Sequence, residues 1–526
     1  MDKKYIAVGV AIWASISGYM GLRVLEGYTE DAVYASLSVM SAEAKEIRYS
    51  FLTNSLTIKG IEYDIPDEKV MHKGSIEQVE VKNFNRKIMF VMPNMPAYNA
   101  DDLPRVVESV TITGITDMLH QGDVRIDRKI GSVEMSGWHQ RIGMLLDRYT
   151  HDGITEKFYE ELYRCRIDEL NASQIDIKVM TSKMEAPVVM NIGEAALLGG
   201  IKAPRGEEKN TPFTLAMRNI TFGQGIKSGS VLRIDLRDFL APEPAMMGKL
   251  VAMAVPKEKE EPAVTANDVL DVLRQSYADR APFSLLSVQG FSFKNSPEAT
   301  PVTLNSATYA LNYSGEAVSS EMKLKDMHIR PAMFGEMQAI VTRFAPEGLH
   351  ADIESKGVSS PAMTSGNAAY ELRGLGRLEA ASEVFGAFDT LEKMLQDGGA
   401  DTSELLAVLS DMRLKKAQVH YKDSGLLAMA AAMVAEKTGT TSQKVISELE
   451  SIAQTLTQDD STLLKKLGMA FEEQLKTPGE FNFILESEAA VSFKELFMMY
   501  MLMPEKLPID IQSAKGIRSM QEYLVQ

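Results

Sequence analysis

The sequence contains seven histidines, the residues that most often bind metals or transfer protons near neutral pH. No two of them lie two to five residues apart and no HExxH motif occurs, so local spacing predicts no metal site. We therefore expect surface histidines or hydrogen-bonded histidines of the core. They are His72, His120, His139, His151, His328, His350 and His420.

Motifs of nucleophilic catalysis and phosphate binding are also missing from the sequence. There is no Walker loop and no GxGxxG after a strand, and the nearest match to GxSxG, at 225–229, has its serine one place too late. The single cysteine, Cys165, lies in the helical pattern YEELYRCRIDEL, which favours a buried or incidental thiol. The sequence thus predicts no catalytic residue, no metal ligand and no cofactor.

One segment is suited to contact with an apolar ligand: FKELFMMYMLMPEK, which begins at Phe493. As a helix it is apolar on nearly all sides, so we expect it to be buried or to face an apolar partner. It is either a core helix that covers a sheet, or a groove wall or membrane contact. The same alternatives apply to LLAMAAAMVA, from Leu426. The candidate contact residues are Leu496, Phe497, Met499, Tyr500 and Met503.

Strands are the elements predicted to dominate the first three quarters of the chain. SLTIKGIE, from Ser55, and SVTITGIT, from Ser109, alternate apolar and polar residues up to a glycine, after which the phase shifts. Period two predicts a strand with one covered face. The residue at the break is predicted to take a positive φ, as a bulge or tight turn requires. Similar units begin at Ser75, Ser132, Phe213, Val231, Leu285, Glu321 and Ala369.

Helical spacing is predicted for an insertion near 141–170 and for most of the chain after residue 378. Within that last part, strands are predicted to return to the sheet at 415–423, 480–487 and 507–512.

A run of five charges between Pro256 and Pro262 predicts an exposed linker at 256–265. We therefore expect a β-rich domain at 28–255, a second β-rich segment at 266–377 and a mainly helical segment at 378–526.

The amino terminus predicts a membrane anchor at 1–27. Residues 5–22 carry no charge, which is just long enough for a transmembrane helix, and two lysines precede them. This charge balance predicts a cytoplasmic tail and an exported body. A cleaved signal peptide, with Ser15 and Ser17 as small residues before the cut, is an alternative, and so is a buried helix of a soluble protein.

Composition limits the function further. At 526 residues the chain is long enough for two to four structural units, and a net charge of -16 argues against nucleic-acid binding. With one cysteine there is no intramolecular disulfide. The 32 methionines fill irregular core gaps or line adaptable apolar surfaces.

The predicted fold class is α+β. An N-terminal transmembrane helix is followed by a large, mostly antiparallel, curved and repetitive β-sheet, with a C-terminal helical block packed on it.

The N-terminal apolar segment, followed by EIRYSFLTNSLTIKGIEYDIP and repeated strands, resembles the AsmA-like proteins and related Gram-negative envelope proteins. The likeness covers about 5–137 and, more loosely, the strand units up to residue 374. It implies an inner-membrane anchor, a periplasmic sheet and a role in outer-membrane biogenesis, with lipid moving along an apolar groove in larger members. The helical pattern after residue 378 departs from the family, and the resemblance assigns no functional residue.

From these features we expect a non-enzymatic, single-pass inner-membrane protein whose bulk is periplasmic and whose apolar sheet face binds or guides lipid. The alternative is an envelope scaffold that docks a protein partner, with purely structural apolar helices. A third hypothesis is a hydrolase whose residues come from distant positions. A cleft that holds a histidine with a carboxylate or serine partner would favour it.

Overall fold

The structure is a computed structural model of the chain. The chain divides into two compact units, Met1–Leu286 and Ser287–Gln526, called unit 1 and unit 2 below. The structure describes residues 30–31, 33–34, 37–38, 41–50, 53–66, 70–85, 105–139, 166–202, 212–240, 282–314, 316–388, 390, 402–459 and 461–525.

The described part of unit 1 is an antiparallel meander in which each strand pairs with the next along the chain. Its strands are long, up to 17 residues in β4. The strands continue beyond their phase breaks, because β-branched residues, which favour strands, lie on both sides of the break. They are β1 (Ala42–Ser50), β2 (Ser55–Pro66), β3 (Val70–Phe84), β4 (Arg105–Gln121), β5 (Val124–His139), β6 (Arg166–Thr181), β7 (Val188–Lys202), β8 (Phe213–Gln224) and β9 (Lys227–Phe239).

The register of this meander aligns apolar side chains in rows that cross the strands. We call the first the isoleucine row: Ile61, Ile76, Ile115, Ile130, Ile175, Ile192, Ile220 and Val231, each directly opposite the next. A second, the aliphatic row, is formed by Ile58, Val79, Ile112, Val133, Ala172, Ala195, Met217 and Ile234. Because side chains alternate between faces, the residues between them form polar rows on the opposite face. One such row is Lys59, Gln78, Thr113, Ser132, Ser173, Glu194, Arg218 and Arg233.

The phase breaks of the even strands lie between the isoleucine row and the aliphatic row. A residue in the left-handed region there leaves Ile58 and Ile61, three positions apart, on the same face. The predicted positive φ is confirmed at these breaks, and Gln174 adds one that the sequence pattern did not single out. They are Gly60 (φ 62°), Gly114 (φ 63°), Gln174 (φ 53°) and Asn219 (φ 55°).

The buried core of unit 1 lies where helical residues cover the first strands. Val33 and Leu37, from a short helical stretch before β1, pack with Ile47, Ile58 and Ile61 in one apolar cluster. The cluster continues across β3 to Val107 of β4. Burial of such aliphatic side chains stabilises the fold by about 1.5–3 kcal/mol each.

In unit 2, β11 to β18 also pair in chain order, each antiparallel to the next. The strands are β10 (Leu285–Lys294), β11 (Val302–Ser314), β12 (Ala317–Ile329), β13 (Leu349–Ser360), β14 (Met363–Leu372), β15 (Gly376–Phe385), β16 (Arg413–Asp423), β17 (Glu480–Ser492) and β18 (Ile509–Ala514).

The helices of unit 2 interrupt this meander. They are α1 (Gln338–Phe344), α2 (Thr402–Asp411), α3 (Leu426–Thr438), α4 (Ser442–Thr457), α5 (Thr462–Lys476), α6 (Phe493–Leu502) and α7 (Met520–Val525), with 3-10 turns at Pro331–Met337 and Pro504–Lys506.

Helices α3, α4, α5 and α7 share a core of their own. Ala428, Ile446 and Leu475 are buried in it, with the α1 residue Phe344 packed against them. Gly468 lets α5 approach α4 closely, since a Cβ there would lie 2.6 Å from the backbone nitrogen of Thr457. Toward the sheet, α5 contacts β17 and β18. The helical block is thus mainly packed on itself.

The predicted fold class is wrong. Most of the described chain is antiparallel strand, 18 strands in all, with a few helices. Within the residues that the structure describes, no helix is long and apolar enough to cross a membrane. The predicted anchor at 1–27 lies outside them. The prediction underestimates strand content after residue 378, because β15 continues to Phe385 and β17 to Ser492, beyond the predicted strands.

Several predicted boundaries can be placed on the structure. The strands expected at 415–423, 480–487 and 507–512 overlap β16, β17 and β18. Residues 166–170, the end of the predicted helical insertion, belong to β6, where Arg166 and Asp168 alternate with Ile167. The rest of that insertion and the linker at 256–265 lie outside the described residues, and the two units meet at 286–287, within β10.

Candidate functional site

The apolar face of unit 1 is closed at two ends and more accessible in the middle. In the isoleucine row, Ile61 and Ile76 are buried, as are Ile192, Ile220 and Val231. Between them Ile115, Ile130 and Ile175, on β4, β5 and β6, are only half-buried.

The neighbouring row shows the same transition. Ile58 and Val79 are buried, whereas Ile112, Val133 and Ala172 are half-buried. We call this uncharged area on β4 to β6 the central patch: Ile112, Ile115, Ile130, Val133, Ala172 and Ile175. Strand spacing of about 4.8 Å makes it roughly 10–14 Å wide.

A buried polar cluster borders the central patch. Asp117 and Arg128 lie two positions beyond Ile115 and Ile130 on β4 and β5, directly opposite each other. Asp117 accepts hydrogen bonds from the Tyr63 hydroxyl (3.0 Å), from His72 Nε2 (2.5 Å) and from Arg128 Nε (2.8 Å). The cluster therefore links four adjacent strands through one carboxylate.

Glycine at position 74 is what allows this link. Tyr63 on β2 faces Gly74 on β3, which in turn faces Asp117 on β4. A Cβ at Gly74 would overlap the Tyr63 hydroxyl. The tyrosine thus crosses a whole strand to reach the carboxylate.

The chemistry of this cluster is that of a buried ion network. His72 is 0% exposed, so no reactant reaches it, although it has the carboxylate partner that an acid–base histidine would need. Burial raises the pKa of Tyr63 to about 12, with the charge of Arg128 acting in the opposite direction. Tyr63 therefore stays protonated at neutral pH and serves as a hydrogen-bond donor.

A cavity of about 910 Å³ adjoins the cluster, and Tyr63, Asp117 and Arg128 form part of its lining. Its other charged lining residues carry both signs. They belong to the rows that alternate with Tyr63, Asp117 and Arg128, so their side chains lie on the polar face of the sheet, opposite the central patch. These residues are Glu43, Glu62, Asp64, Lys73, Arg125, Asp127 and Lys129.

Unit 2 contains a second polar cluster, on β12, β13 and the β14–β15 turn. His328 and His350 lie directly opposite each other and stack with ring centroids 4.1 Å apart. His350 Nδ1 donates to Asp326 Oδ1 (2.7 Å), and Arg373 bridges Asp326 and Asp352. The structure thus brings together two histidines that are 22 positions apart, although no group of three metal-ligating side chains forms among the described residues.

Charge and hydrogen bonding stabilise the carboxylates of this second cluster. The hydrogen bond from His350 holds the pKa of Asp326 below its usual value of 3.8, and the nearby guanidinium of Arg373 acts in the same direction. Arg373 likewise lowers the pKa of Asp352 through its hydrogen bonds. Both carboxylates are therefore ionised at neutral pH.

The predicted apolar contact residues all lie on α6 or at its C-cap, Met503. Leu496 and Met499 are half-buried, whereas Phe497, Tyr500 and Met503 are exposed. The other predicted candidate, the segment from Leu426, is α3 and buries Ala428 and Met429. The two segments thus have different environments: α3 is a core helix and α6 is not.

Sequence analysis missed the central patch and its polar border, although a signal was present. On the even strands an isoleucine directly follows the phase break, as in Gly60–Ile61, Gly114–Ile115, Gln174–Ile175 and Asn219–Ile220. On odd strands the order is reversed, as in Ile130–Gly131 and Ile192–Gly193, since those strands run antiparallel. Alignment of these dipeptides would have predicted the isoleucine row.

Comparisons with known proteins add little to this geometry. No curated protein matches the chain. A family model described as "Uncharacterized protein" matches residues 369–513, from β14 to β18, which is less than half of the chain. The match includes α6 and most of the helical block but neither the central patch nor its polar border.

Proposed function

We propose that the protein is a non-enzymatic lipid-binding protein whose central patch holds acyl chains. The observation that carries this proposal is the in-register isoleucine row, which is buried at both ends and half-buried at Ile115, Ile130 and Ile175. A continuous, uncharged, aliphatic surface on three neighbouring strands offers a chain of methylenes contact along its length.

The energetics favour an extended apolar ligand. Each methylene removed from water contributes about 0.8 kcal/mol, so a long acyl chain gains substantial free energy even from partial burial. The aliphatic side chains of the central patch offer no hydrogen-bond partner, which disfavours a polar peptide or nucleotide on this surface.

The polar border supplies an orientation for such a ligand. Arg128 lies two positions beyond Ile130 on the same face of the sheet, at the end of the central patch, and its side chain is partly exposed. A lipid with its chains on Ile130 and Ile175 would place its headgroup at this border. The proposed ligand is therefore an amphipathic lipid and not a free hydrocarbon.

The resemblance of the LTIKGI-type strands to AsmA-like proteins supports both lipid handling and a place in the Gram-negative envelope. We accordingly propose a periplasmic location for the two units. Fusions of the C-terminus to alkaline phosphatase and to a cytoplasmic fluorescent reporter test it, because the phosphatase is active only after export. Activity of the cytoplasmic reporter alone would contradict this location.

Photo-crosslinking tests the lipid proposal directly. The full chain is incubated with a phospholipid that carries a photoreactive acyl chain, and lipids that copurify are identified by mass spectrometry. Wild type should crosslink, and Val133→Asp should lower the yield at least tenfold, because a carboxylate in the central patch must be desolvated by the chain.

The matched control is Ser132→Asp, the adjacent residue on the polar face of β5, whose cross-strand neighbours Thr113 and Ser173 are uncharged. It should crosslink as wild type does. Circular dichroism confirms that both variants are folded. Equal crosslinking by the two variants, or no crosslinking by wild type, would show that the central patch is not a lipid site.

A further inference from the structure

We infer that α6 is a membrane-docking helix, which inserts its apolar side chains into the interfacial region of a lipid bilayer. This inference rests on α6 alone and does not depend on lipid binding by unit 1.

The helix is well formed but poorly covered. Ser492 and Glu495 form a capping box: the Ser492 hydroxyl accepts from the Glu495 amide at 3.1 Å, and the Ser492 amide donates to the Glu495 carboxylate at 2.8 Å. No residue of α6 is buried. Phe497 is 63% exposed, Met501 61% and Leu502 66%.

Exposed apolar side chains occupy too wide an arc for a groove. At 100° per residue, Tyr500, Phe493, Phe497, Met501, Met498 and Leu502 cover an arc of about 200°. A helix that docks in a protein groove or on a second copy needs an apolar stripe of only about 100°. Leu496 and Met499, on the remaining side, are the half-buried residues, and the helix contacts α2 and β17. Lys494 also lies within this arc, in the first turn, where a long side chain can keep its charge in water. The boundary of a bilayer is fluid and fits around the exposed side of a short helix, so it can cover the wider arc.

Helix length decides between insertion and spanning. At 1.5 Å per residue, the ten residues of α6 extend about 15 Å, half of the hydrocarbon thickness of a bilayer. Both ends return to the sheet, through β17 and through the 3-10 turn before β18. The helix therefore lies in the interface and does not cross it.

A neighbouring helix extends the same apolar surface. Arg413, where β16 begins directly after α2, pairs with Ser492, where β17 ends before α6, so both helices lie at one end of the sheet. On α2, Leu406 is also largely exposed. The methionines of α6 suit a fluid partner, because their flexible thioethers adapt to its shape.

Charge near α6 is balanced. Lys494 and Glu495 lie in its first turn, Glu505 and Lys506 follow its end, and Leu496 to Met503 carry no charge. Insertion should therefore depend on apolar contact, and neither anionic lipid nor low salt should be needed.

Vesicle flotation with the full chain tests this inference, using phosphatidylcholine vesicles with or without phosphatidylglycerol. Wild type should float with both, at low salt and at 0.5 M salt, where the Debye length is about 4 Å. Residues 1–27 are predicted to anchor the full chain by themselves, so insertion of α6 is measured by a fluorophore at Met498→Cys. Its response to vesicles should be lost with the triple variant Phe497→Ser, Met501→Ser, Leu502→Ser. The matched control, Ile226→Ser with Leu232→Ser, removes two similarly exposed apolar side chains from unit 1 and should leave that response unchanged.

A depth measurement separates insertion from surface adsorption. In a Cys165→Ser background, an environment-sensitive fluorophore at Met498→Cys should shift to the blue with vesicles and be quenched by lipids brominated on their chains. The same fluorophore at Leu232→Cys should not respond. A fluorophore response restricted to anionic vesicles and abolished by salt would overturn the inference, and so would a response that the triple variant retains. Concentration-dependent dimers that only the triple variant loses, without vesicle binding by wild type, would identify a second copy as the partner instead.

Discussion

The two units use the same strand pattern to build different apolar faces. In unit 1 the rows are branched and aliphatic, as Ile115, Ile130 and Ile175 show. In unit 2 one row is small: Ser320, Gly357, Gly366, Ser382 and Ala417 lie opposite one another on β12 to β16. Another row of the same strands stays large, with Leu324, Ile353, Tyr370, Leu378 and Tyr421. The apolar face of unit 2 is therefore interrupted by a row that is mostly backbone.

This difference separates the tasks of the units. Small side chains bury little apolar area, so the helical core around Ala428, Ile446 and Leu475 provides much of the apolar burial in unit 2. Unit 1 relies on the sheet rows themselves, and the same rows that form its core at β2 and β3 continue into the central patch. In unit 1 the same rows thus stabilise the fold and form the proposed ligand surface. In unit 2 the helical core stabilises the fold, and a separate element, α6, forms the proposed contact surface.

The two polar clusters differ in the same sense. Asp117 is buried and accepts from three side chains on three other strands. Asp326 lies in a cluster that is about one-third exposed. Loss of the carboxylate charge should therefore lower the stability of unit 1 far more than that of unit 2.

The largest expected effect is that of Asp117→Asn. Removing this charge leaves Arg128 without its buried counter-ion, which should lower the free energy of unfolding of unit 1 by roughly 4–5 kcal/mol. Denaturant titration followed by the fluorescence of Trp138, on β5 of the same unit, measures it.

Asp326→Asn is the matched substitution in unit 2. Solvent screens that cluster, so the change should stay below about 1 kcal/mol, measured by helical circular dichroism. Asparagine also tolerates the positive φ at this position (54°). Equal losses in the two variants would show that the clusters do not differ as their burial indicates.

An intermediate effect is expected within the isoleucine row. Ile61→Ala removes a fully buried side chain and should cost about 3–4 kcal/mol, whereas Ile130→Ala in the central patch should cost about 1–2 kcal/mol. Thermal denaturation of both variants compares them. If Ile130→Ala is as costly as Ile61→Ala, the central patch is part of the closed core and not an accessible surface.

The smallest effect concerns pH. Because the pKa of Asp326 is lower in the folded protein than its usual 3.8, its carboxylate stabilises unit 2 above that pH. This contribution is lost as the pH falls through the lower folded value. The difference in stability between wild type and Asp326→Asn at pH 5 should therefore shrink toward pH 2. If the difference in stability between the two proteins grows on acidification, the pKa of Asp326 is not lowered by folding.

Local features of the fold could be predicted well from the sequence. Every strand unit singled out by alternation contains a residue with positive φ at its break, including Asn83, Gly137, Asp238 and Gly290. This works because φ preference and face alternation are properties of a few neighbouring residues. The same local reasoning overestimated helix after residue 378, since a short apolar run such as EVFGAF, whose first three residues belong to β15, does not distinguish the two periods.

The candidate sites were harder to predict, because they depend on register. Tyr63, His72, Asp117 and Arg128 span 66 positions and meet through cross-strand pairing. None has a neighbour in the sequence that marks it. The exposure of α6 was equally undetermined, because an all-apolar helix suits a core as well as a membrane surface, and α3 became the core helix.

Alternation, phase breaks and the apolar character of α6 can thus be read from the order of residues, because each is set within one strand or one helix turn. The tertiary structure decided which isoleucines share a row, where that row is open, which carboxylate is buried and which apolar helix stays exposed. These depend on pairings between distant strands, and burial is a property of what covers a side chain and not of the side chain itself.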